Sequence, residues 1–436
     1  MVSSASLAHG SIRLYSPPRF SRNRNAPQPS PSPFTSCSCS CSFSTALAGA
    51  KGDWKVNAVI ANTMNNSARE EFEWSRSVGI RREPDHLLVL VHGIMAGPND
   101  WNYVQAELKK RLGRNFLIYA SSCNTYTKTF TGIDGSGKRL ADEVTEVVLK
   151  NESLTKISFL AHSLGGLIAR YAVSLLYAEI VSKTIEQKGI EEFPKHGSVA
   201  GLEPQYFITL ATPHLGVRGK KQLPFLLGIP LLERLAVPMA PILVGRTGRQ
   251  LFLTDGSPRK RPLLLRMASD CDDGRFISSL ASFKCRCAYA NVSYDHMVGW
   301  RTSSIRRENE LVPPPQRSLD GYKHVVEVEY CPPVSSGGPN FPPEAARAKE
   351  AAQNEPNSEN TKEYHEMVEE EMIRGLQQLG WMKVDVSFHS ALWPFFAHNN
   401  IHVKNEWFHN AGTGVIAHVA DTLKRQDPAP FFSARL

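Results

Sequence analysis

One serine lies where an apolar run gives way to a long helical pattern, and this junction restricts the fold more than any other feature. The run Lys156–Ala161 is short and mostly apolar, which is typical of a strand covered on both faces. The segment Leu164–Ile180 that follows has a strong helical pattern. A strand that turns directly into a helix strains the residue between them and raises its side chain above the sheet edge. That residue is Ser163.

Such a turn is crowded, so the residues two before and two after the serine must be small. Here they are Ala161 and Gly165, which gives A-x-S-x-G where G-x-S-x-G is usual. Because alanine still fits sterically, the pattern predicts that Ser163 is a nucleophile. The alternative is that its side chain only caps the helix.

Further strand and helix patterns alternate on both sides of this junction. Five more apolar, strand-like runs are predicted: Leu87–Val91, Phe116–Ala120, Tyr206–Ala211, Cys285–Val292 and Met382–Phe388. Helices are predicted at Trp101–Leu112, from about Lys138 to Lys150, and from about Gly412 to Leu423. This alternation predicts an α/β fold with a doubly wound, mainly parallel sheet and helices on both faces.

A serine hydroxyl needs a base, and the base needs an acid that orients it. When a serine lies on such a turn, the chain order is serine, acid, histidine, and we expect the acid at the end of a later strand. Asp295 follows the Cys285–Val292 strand, whereas Asp270, Asp272 and Asp273 precede it and fit less well. Asp295 is therefore the predicted acid; the alternative is that it caps a turn.

The base is expected in the loop between the last strand and the last helix. Four histidines lie in this region: His389, His398, His402 and His409. His389 is close to the strand, and His402 lies in a segment that alternates as an extended chain does. His398 lies in the middle of the loop after an aromatic run, so it is the predicted base, with His402 second.

Attack on a carbonyl creates an oxyanion, which backbone N–H groups must stabilise. Leu164, directly after the serine, is one predicted donor. The other is expected after the first strand, where Gly93 permits a tight turn, so Ile94 is predicted and Met95 is the second choice. His92 precedes the serine, in the wrong order for a base, and is predicted to be structural. His214 is likewise predicted to be architectural.

Four segments together resemble one known family: HGIMAGPNDW, LAHSLGGLIARYA, LATPHLGVRG and SYDHMVGWRTSSIRR. They resemble a eukaryotic, lipase-like group of serine esterases known as domain of unknown function 676, over about residues 85–425. The resemblance implies the α/β-hydrolase fold, a catalytic triad of Ser163, Asp295 and His398, and a lipid-ester substrate.

The sequence thus predicts a carboxylic-ester hydrolase that acts on acyl lipids. Two alternatives remain: an acyltransferase that uses the same triad, and a catalytically inactive hydrolase fold that binds lipid or serves as a scaffold. The cysteines after residue 52 form no CxxC pair and have no Cys/His spacing suited to zinc. No metal and no organic cofactor is therefore predicted, and these cysteines are interpreted as reduced thiols.

Residues 1–55 are predicted to be a disordered plastid transit peptide. Residues 1–52 are rich in Ser and Pro and contain five basic residues but no acidic one, a pattern typical of organelle targeting. A mitochondrial or cytoplasmic location, the latter with a merely disordered tail, is the alternative. Subtracting these five charges from the net +8 leaves +3 for residues 53–436, which argues against nucleic acid as a partner.

The other predicted boundaries are a linker at 56–79, a hydrolase domain at 80–425 and a C-terminal tail at 426–436. Within the domain, residues 217–262 are predicted to form a lid or cap, and residues 332–362 a solvated, flexible insertion between the last two strands.

The apolar segment 222–244 is the predicted point of peripheral membrane contact. It contains four prolines and the charged pair Glu233 and Arg234, which excludes a membrane-spanning helix. The alternative is an ordinary buried pair of cap helices.

Overall fold

The computed structural model describes residues 83–179, 197–217, 244–257, 260–335, 347, 350–351 and 358–425. The predicted transit peptide, linker and C-terminal tail lie outside these residues. Residues 218–243, which make up most of the predicted lid and nearly all of the segment predicted to contact membrane, also lie outside them.

Among the described residues, seven strands form one sheet. They are β1 (His86–Val91), β2 (Phe116–Ala120), β3 (Lys156–His162), β4 (Glu203–Leu210), β5 (Cys285–Asn291), β6 (Val325–Cys331) and β7 (Trp381–Val386). Their order is β6-β7-β5-β4-β3-β1-β2, and every neighbouring pair is parallel except β6 with β7. Because the strands are parallel, the carboxyl ends of β1, β3, β5 and β7 meet at one edge of the sheet.

Five longer helices accompany the sheet: α1 (Asn102–Leu112), α2 (Ile133–Leu149), α3 (Leu164–Leu176), α4 (Ser358–Gln377) and α5 (Thr413–Lys424). Shorter α-helices cover Leu263–Arg266, Phe276–Ala281, Trp300–Ser304, Ala397–Asn400, Glu406–His409 and residues 244–251. Single 3-10 turns cover Pro98–Trp101, Gly113–Asn115, Tyr126–Phe130, Glu308–Glu310, Pro394–Phe396 and Asn410–Gly412. Two-residue strands pair Tyr177–Ala178 with Ser198–Val199, and Asp270–Cys271 with Gly274–Arg275. No described helix is both long and apolar enough to cross a bilayer.

The core lies on both faces of the sheet, as the continuous apolar strands predict. In β1, alternate side chains belong to opposite clusters: Leu87 packs in the cluster that contains α2, α3 and α4, and Leu88 in the one that contains α1 and α5. The predicted doubly wound α/β architecture is therefore confirmed.

Two predicted helix boundaries are wrong. Helix α2 begins at Ile133 and not near Lys138, so Gly135 and Gly137 lie in its first two turns and do not interrupt it. A Cβ on Gly137 would lie 2.6 Å from the ring of Tyr171 on α3. Helix α3 ends at Leu176 and not at Ile180, since the chain then turns into a short strand.

Among the seven sheet strands and the five longer helices, strand β6 and helix α4 were not predicted. Strand β6 lies at the sheet edge and alternates apolar with acidic residues, so it lacks the continuous apolar run of the central strands. Helix α4 begins at Ser358, so residues 358–362 of the segment predicted to be a flexible insertion (332–362) are helical. The rest of the predicted insertion lies largely outside the described residues.

The described end of the predicted lid (217–262) is firmly attached to the domain. Residues 244–251 are helical, and Thr247 Oγ1 accepts a hydrogen bond of 3.0 Å from the backbone N–H of Gly132, at the start of α2. This part of the chain is therefore held against the core.

A buried ion pair links the segment after β5 to β7. Arg306 Nη1 donates to both carboxylate oxygens of Asp385, at 2.8 and 2.9 Å, and the side chains are only 5% and 2% exposed. Trp300 Nε1 donates a further bond of 2.8 Å to Asp385. These contacts fix the carboxyl end of β7 relative to the neighbouring loop.

We predict that Arg306→Met lowers the free energy of unfolding by about 3–5 kcal/mol, because it leaves the Asp385 carboxylate buried without its cation. Urea denaturation measures the loss. The matched control is Arg317→Met, which removes an ion pair with Asp320 whose side chains are 86% and 95% exposed, and it should cost less than about 1 kcal/mol. Equal, small losses for both variants would contradict the prediction.

Candidate active site

The backbone of Ser163 is strained where β3 meets α3. Its φ is 54° and its ψ is −129°, a conformation that costs a non-glycine residue free energy. Two glycines permit the close packing that holds it there. A Cβ on Gly165 would lie 2.3 Å from the Val91 carbonyl oxygen, and one on Gly166 would lie 2.2 Å from Thr212 Oγ1. The start of α3 therefore sits directly on the ends of β1 and β4.

Three of the sequence-predicted residues come together at the carboxyl edge of the sheet. Ser163 Oγ lies 3.0 Å from His398 Nε2, and His398 Nδ1 lies 3.0 Å from Asp295 Oδ2. The three residues are 5%, 7% and 4% exposed, respectively. The serine hydroxyl can thus donate to the imidazole while the imidazole donates to the carboxylate.

The carboxylate of Asp295 is fully engaged with hydrogen-bond donors. Its Oδ1 accepts from the backbone N–H groups of Met297 (3.0 Å) and Val298 (2.9 Å), and its Oδ2 accepts from Asn291 Nδ2 at 2.8 Å. Burial by itself would raise the pKa of Asp295, but the neighbouring His398 and these hydrogen bonds outweigh burial and hold its pKa below the usual value. An ionised Asp295 fixes the proton of His398 on Nδ1, which leaves Nε2 free to accept.

The predicted oxyanion donors lie next to the serine. Leu164 is the first residue of α3, and the loop after β1 packs so closely on the serine that a Cβ on Gly93 would lie 2.9 Å from Ser163 Cβ. The N–H of Met95, the second choice, already donates to Thr129 Oγ1 at 3.1 Å. No acceptor for the N–H groups of Ile94 or Leu164 lies among the described residues.

The other late histidines do not reach the serine. His402, the second choice for the base, is buried and stacks on His162, with ring centroids 3.8 Å apart. His389 is exposed, and His409 Nδ1 accepts from the backbone of Asn405. Among the described histidines, His398 is the one hydrogen-bonded to Ser163.

His162 is a part of the site that the sequence reasoning missed. Its Nε2 donates a hydrogen bond of 2.8 Å to the backbone carbonyl of His398, so it helps to hold the backbone of the predicted base in place. Burial, together with the nearby His402 and His398, lowers the pKa of His162 well below its ordinary value, so the ring is neutral. The available signal was its position at the end of a strand covered on both faces, where a histidine has no access to solvent.

His92 and His214 are buried, and neither is hydrogen-bonded to Ser163, Asp295 or His398. His92 Nδ1 contacts the Gly93 carbonyl at 3.0 Å, and His214 Nε2 contacts Thr209 Oγ1 at 3.0 Å. Within the described ranges, no group of three or more His, Cys, Asp or Glu side chains is arranged to hold a metal ion. The described cysteines are free thiols.

Comparison with known families gives a match to part of the chain. The family model described as "Putative serine esterase (DUF676)" covers residues 81–305, just over half of the 436-residue chain. This range contains Ser163 and Asp295 and ends before His398.

Curated relatives match about half of the chain. "Putative lipase C4A8.10" of Schizosaccharomyces pombe is 28% identical over 230 residues, which is 50% of this chain and 26% of that protein. "Putative lipase YDL109C" of Saccharomyces cerevisiae is 30% identical over 227 residues, 51% of this chain and 30% of that protein. The chain therefore matches less than a third of the length of these relatives.

Among solved structures, the Bacillus licheniformis lipase BlEst2 in its propeptide form is 16% identical and has a TM-score of 0.29. The match covers 48% of this chain and 36% of that one. This TM-score is too low to assign a fold, and the fold of the chain is defined by the strand order described above.

We predict that the hydrogen bond from His162 positions the base. His162→Phe keeps a stacking ring but loses the donor, whereas His162→Gln keeps a donor but loses the ring. We expect His162→Phe to lower kcat on a water-soluble ester by about tenfold to a hundredfold, because small displacements of a reacting group are costly. His162→Gln should lower kcat clearly less, because it keeps a hydrogen-bond donor.

Thermal denaturation of both variants serves as the folding control. If His162→Phe has the kcat of the wild type and His162→Gln has a lower one, packing of the ring and not the hydrogen bond positions His398.

Proposed function

Because the chain belongs to the family described as "Putative serine esterase (DUF676)", we propose that it hydrolyses carboxylic esters of acyl lipids through an acyl-enzyme on Ser163. The observation that carries this proposal is the continuous chain of hydrogen bonds from Ser163 Oγ through His398 to Asp295, with both links at 3.0 Å. A serine hydroxyl is a weak nucleophile unless a base removes its proton, and this arrangement supplies that base.

In the first half of the proposed reaction, Ser163 Oγ attacks the acyl carbonyl carbon while its proton passes to His398 Nε2. Asp295 stabilises the imidazolium that forms. The carbonyl oxygen becomes an oxyanion, for which the N–H groups of Ile94 and Leu164 are the proposed donors. The bond to the alcohol oxygen then breaks, and His398 returns the proton to the leaving alcohol, so the acyl group stays on Ser163.

In the second half, a water molecule attacks the acyl-enzyme and His398 accepts one of its protons. A second oxyanion forms at the same donors and collapses as the bond to Ser163 Oγ breaks. His398 gives the proton back to that oxygen, and the carboxylic acid leaves. The enzyme is then restored without a metal or an organic cofactor taking part in any step.

Two other functions fit the same fold. In an acyltransferase, an alcohol replaces the water in the second half. Analysis of products with an added acceptor alcohol separates the two, because transfer yields a new ester and hydrolysis yields free acid. The other alternative is a catalytically inactive hydrolase fold that binds lipid or serves as a scaffold, and the hydrogen-bonded arrangement of Ser163, His398 and Asp295 disfavours it.

We predict that a fluorophosphonate probe labels the wild-type chain on Ser163 and that Ser163→Ala abolishes the labelling. Ser279→Ala is a matched control, because Ser279 is also buried but donates only to the Phe276 carbonyl; it should leave labelling intact. Incubation with a mixed lipid extract should release free fatty acid with the wild type and not with Ser163→Ala. A folded but unlabelled wild type would favour the lipid-binding reading.

We also propose a plastid location. The support is the acid-free, Ser- and Pro-rich residues 1–52 with their five basic residues. Fusing residues 1–55 to a fluorescent protein in plant cells should direct the fluorescence to plastids. Mitochondrial or cytoplasmic fluorescence would contradict the proposal.

A further inference from the structure

Exposed apolar side chains are concentrated at one edge of the sheet. Of the 16 large apolar side chains that are exposed among the described residues, ten lie in four connecting segments: between β1 and α1, between β2 and α2, between β5 and the helix Trp300–Ser304, and between β7 and α5. Those ten are Met95, Tyr126, Tyr294, Met297, Leu392, Trp393, Phe395, Phe396, Trp407 and Phe408. This is the edge that carries Ser163.

Six of the ten lie within one short segment between β7 and α5, and we call them the aromatic surface: Leu392, Trp393, Phe395, Phe396, Trp407 and Phe408. Leu392 is 84% exposed and Trp407 is 85% exposed. Leaving so many large apolar groups in water is unfavourable, and contiguous exposure of this kind marks an interaction site.

Ring contacts connect the surface internally. Trp393 contacts Phe396 with centroids 6.5 Å apart, and Phe396 contacts His409 at 5.7 Å. His409 in turn contacts Phe408 at 6.4 Å, and Phe408 contacts Trp407 at 5.6 Å. Four of the six exposed side chains, Trp393, Phe396, Trp407 and Phe408, are therefore connected through the buried ring of His409.

The surface is also joined to the proposed catalytic residues. Phe395 packs against Tyr294 and His296, which flank Asp295, with centroids 5.7 Å apart in both cases. His398 lies on the same segment, two residues after Phe396. Whatever covers the aromatic surface is thus held beside Ser163.

The charge of the segment limits what can cover it. Between residues 391 and 408, the formally charged side chains at neutral pH are Lys404 and Glu406, so their charges cancel. Lys404 is further paired with Asp100 at 3.1 Å. A surface without net positive charge fits an uncharged or zwitterionic lipid layer, which needs no cationic groups on the protein to hold it. Tryptophan is also the side chain that favours the boundary between lipid and water.

We propose that the aromatic surface docks the protein on a neutral lipid layer, with the side chains of Leu392 and Trp407 inserted furthest. The inference rests on the proposed function for its purpose, since docking would bring ester bonds in the layer to Ser163. The aromatic surface is distinct from the segment 222–244, which the sequence predicts to contact membrane. Binding is expected to be insensitive to salt, because apolar burial and not charge attraction drives it.

The experiment measures co-sedimentation of the full-length chain with vesicles of pure phosphatidylcholine, at low and high salt. Ser163→Ala should bind as the wild type does, because hydrolysis is not needed for docking. The double variant Leu392→Ser with Trp407→Ser should bind about tenfold or more weakly, as expected when two exposed apolar side chains can no longer leave water. Its turnover of a water-soluble short-chain ester should equal that of the wild type.

The control is Leu149→Ser with Leu175→Ser, which removes two apolar side chains that are 76% and 44% exposed at the ends of α2 and α3. It should leave vesicle binding unchanged. Equal binding by wild type and the Leu392/Trp407 variant overturns the proposal. So does binding that requires anionic lipid and disappears in salt.

Light scattering after size exclusion tests the other occupant, a second copy of the chain. A wild-type dimer that the Leu392/Trp407 variant converts to a monomer, together with no vesicle binding, overturns docking on lipid. Vesicle binding without any fluorophosphonate labelling or fatty-acid release would reject the proposed function and leave the docking intact.

Discussion

The strained backbone of Ser163 is the constraint on which the rest of the site depends. Strand β3 delivers the chain to the sheet edge, and α3 starts at once, so the positive φ of Ser163 is imposed by packing on both sides. Gly165 and Gly166 make that packing possible, because a side chain on either would collide with the ends of β1 or β4. The local cost of this conformation is met by the burial of two apolar helix–sheet layers.

The remaining groups reach Ser163 because parallel strands bring their carboxyl ends to a common edge. Asp295 follows β5 and His398 follows β7, and these two strands are adjacent in the sheet. The buried Arg306–Asp385 pair ties the carboxyl end of β7 to the segment that follows β5. Among these buried side chains, Asp295 carries a negative charge, because its pKa is lowered. His162 and His402 are neutral, because burial lowers their pKa values.

The segment between β7 and α5 has two opposite tasks. It buries His398 and His402 against His162, and it exposes the aromatic surface to solvent. Buried and exposed side chains alternate along this segment, because its short helical turns point successive side chains in different directions. A loop that carries both the proposed base and an exposed apolar patch couples the chemistry of the site to the surface on which its substrate would lie.

The sequence by itself determined the class of fold and the order of the site. Continuous apolar runs mark the buried parallel strands, and the serine turn follows from Ala161, Ser163 and Gly165. Edge strand β6 and helix α4 were not predicted, because neither has the continuous apolar pattern of an element that is covered on all sides. Which histidine meets Ser163, and that His162 supports it, only the tertiary structure decided. A choice between side chains 4 residues apart depends on how one loop folds back across the sheet edge, and no periodicity along the chain records that path.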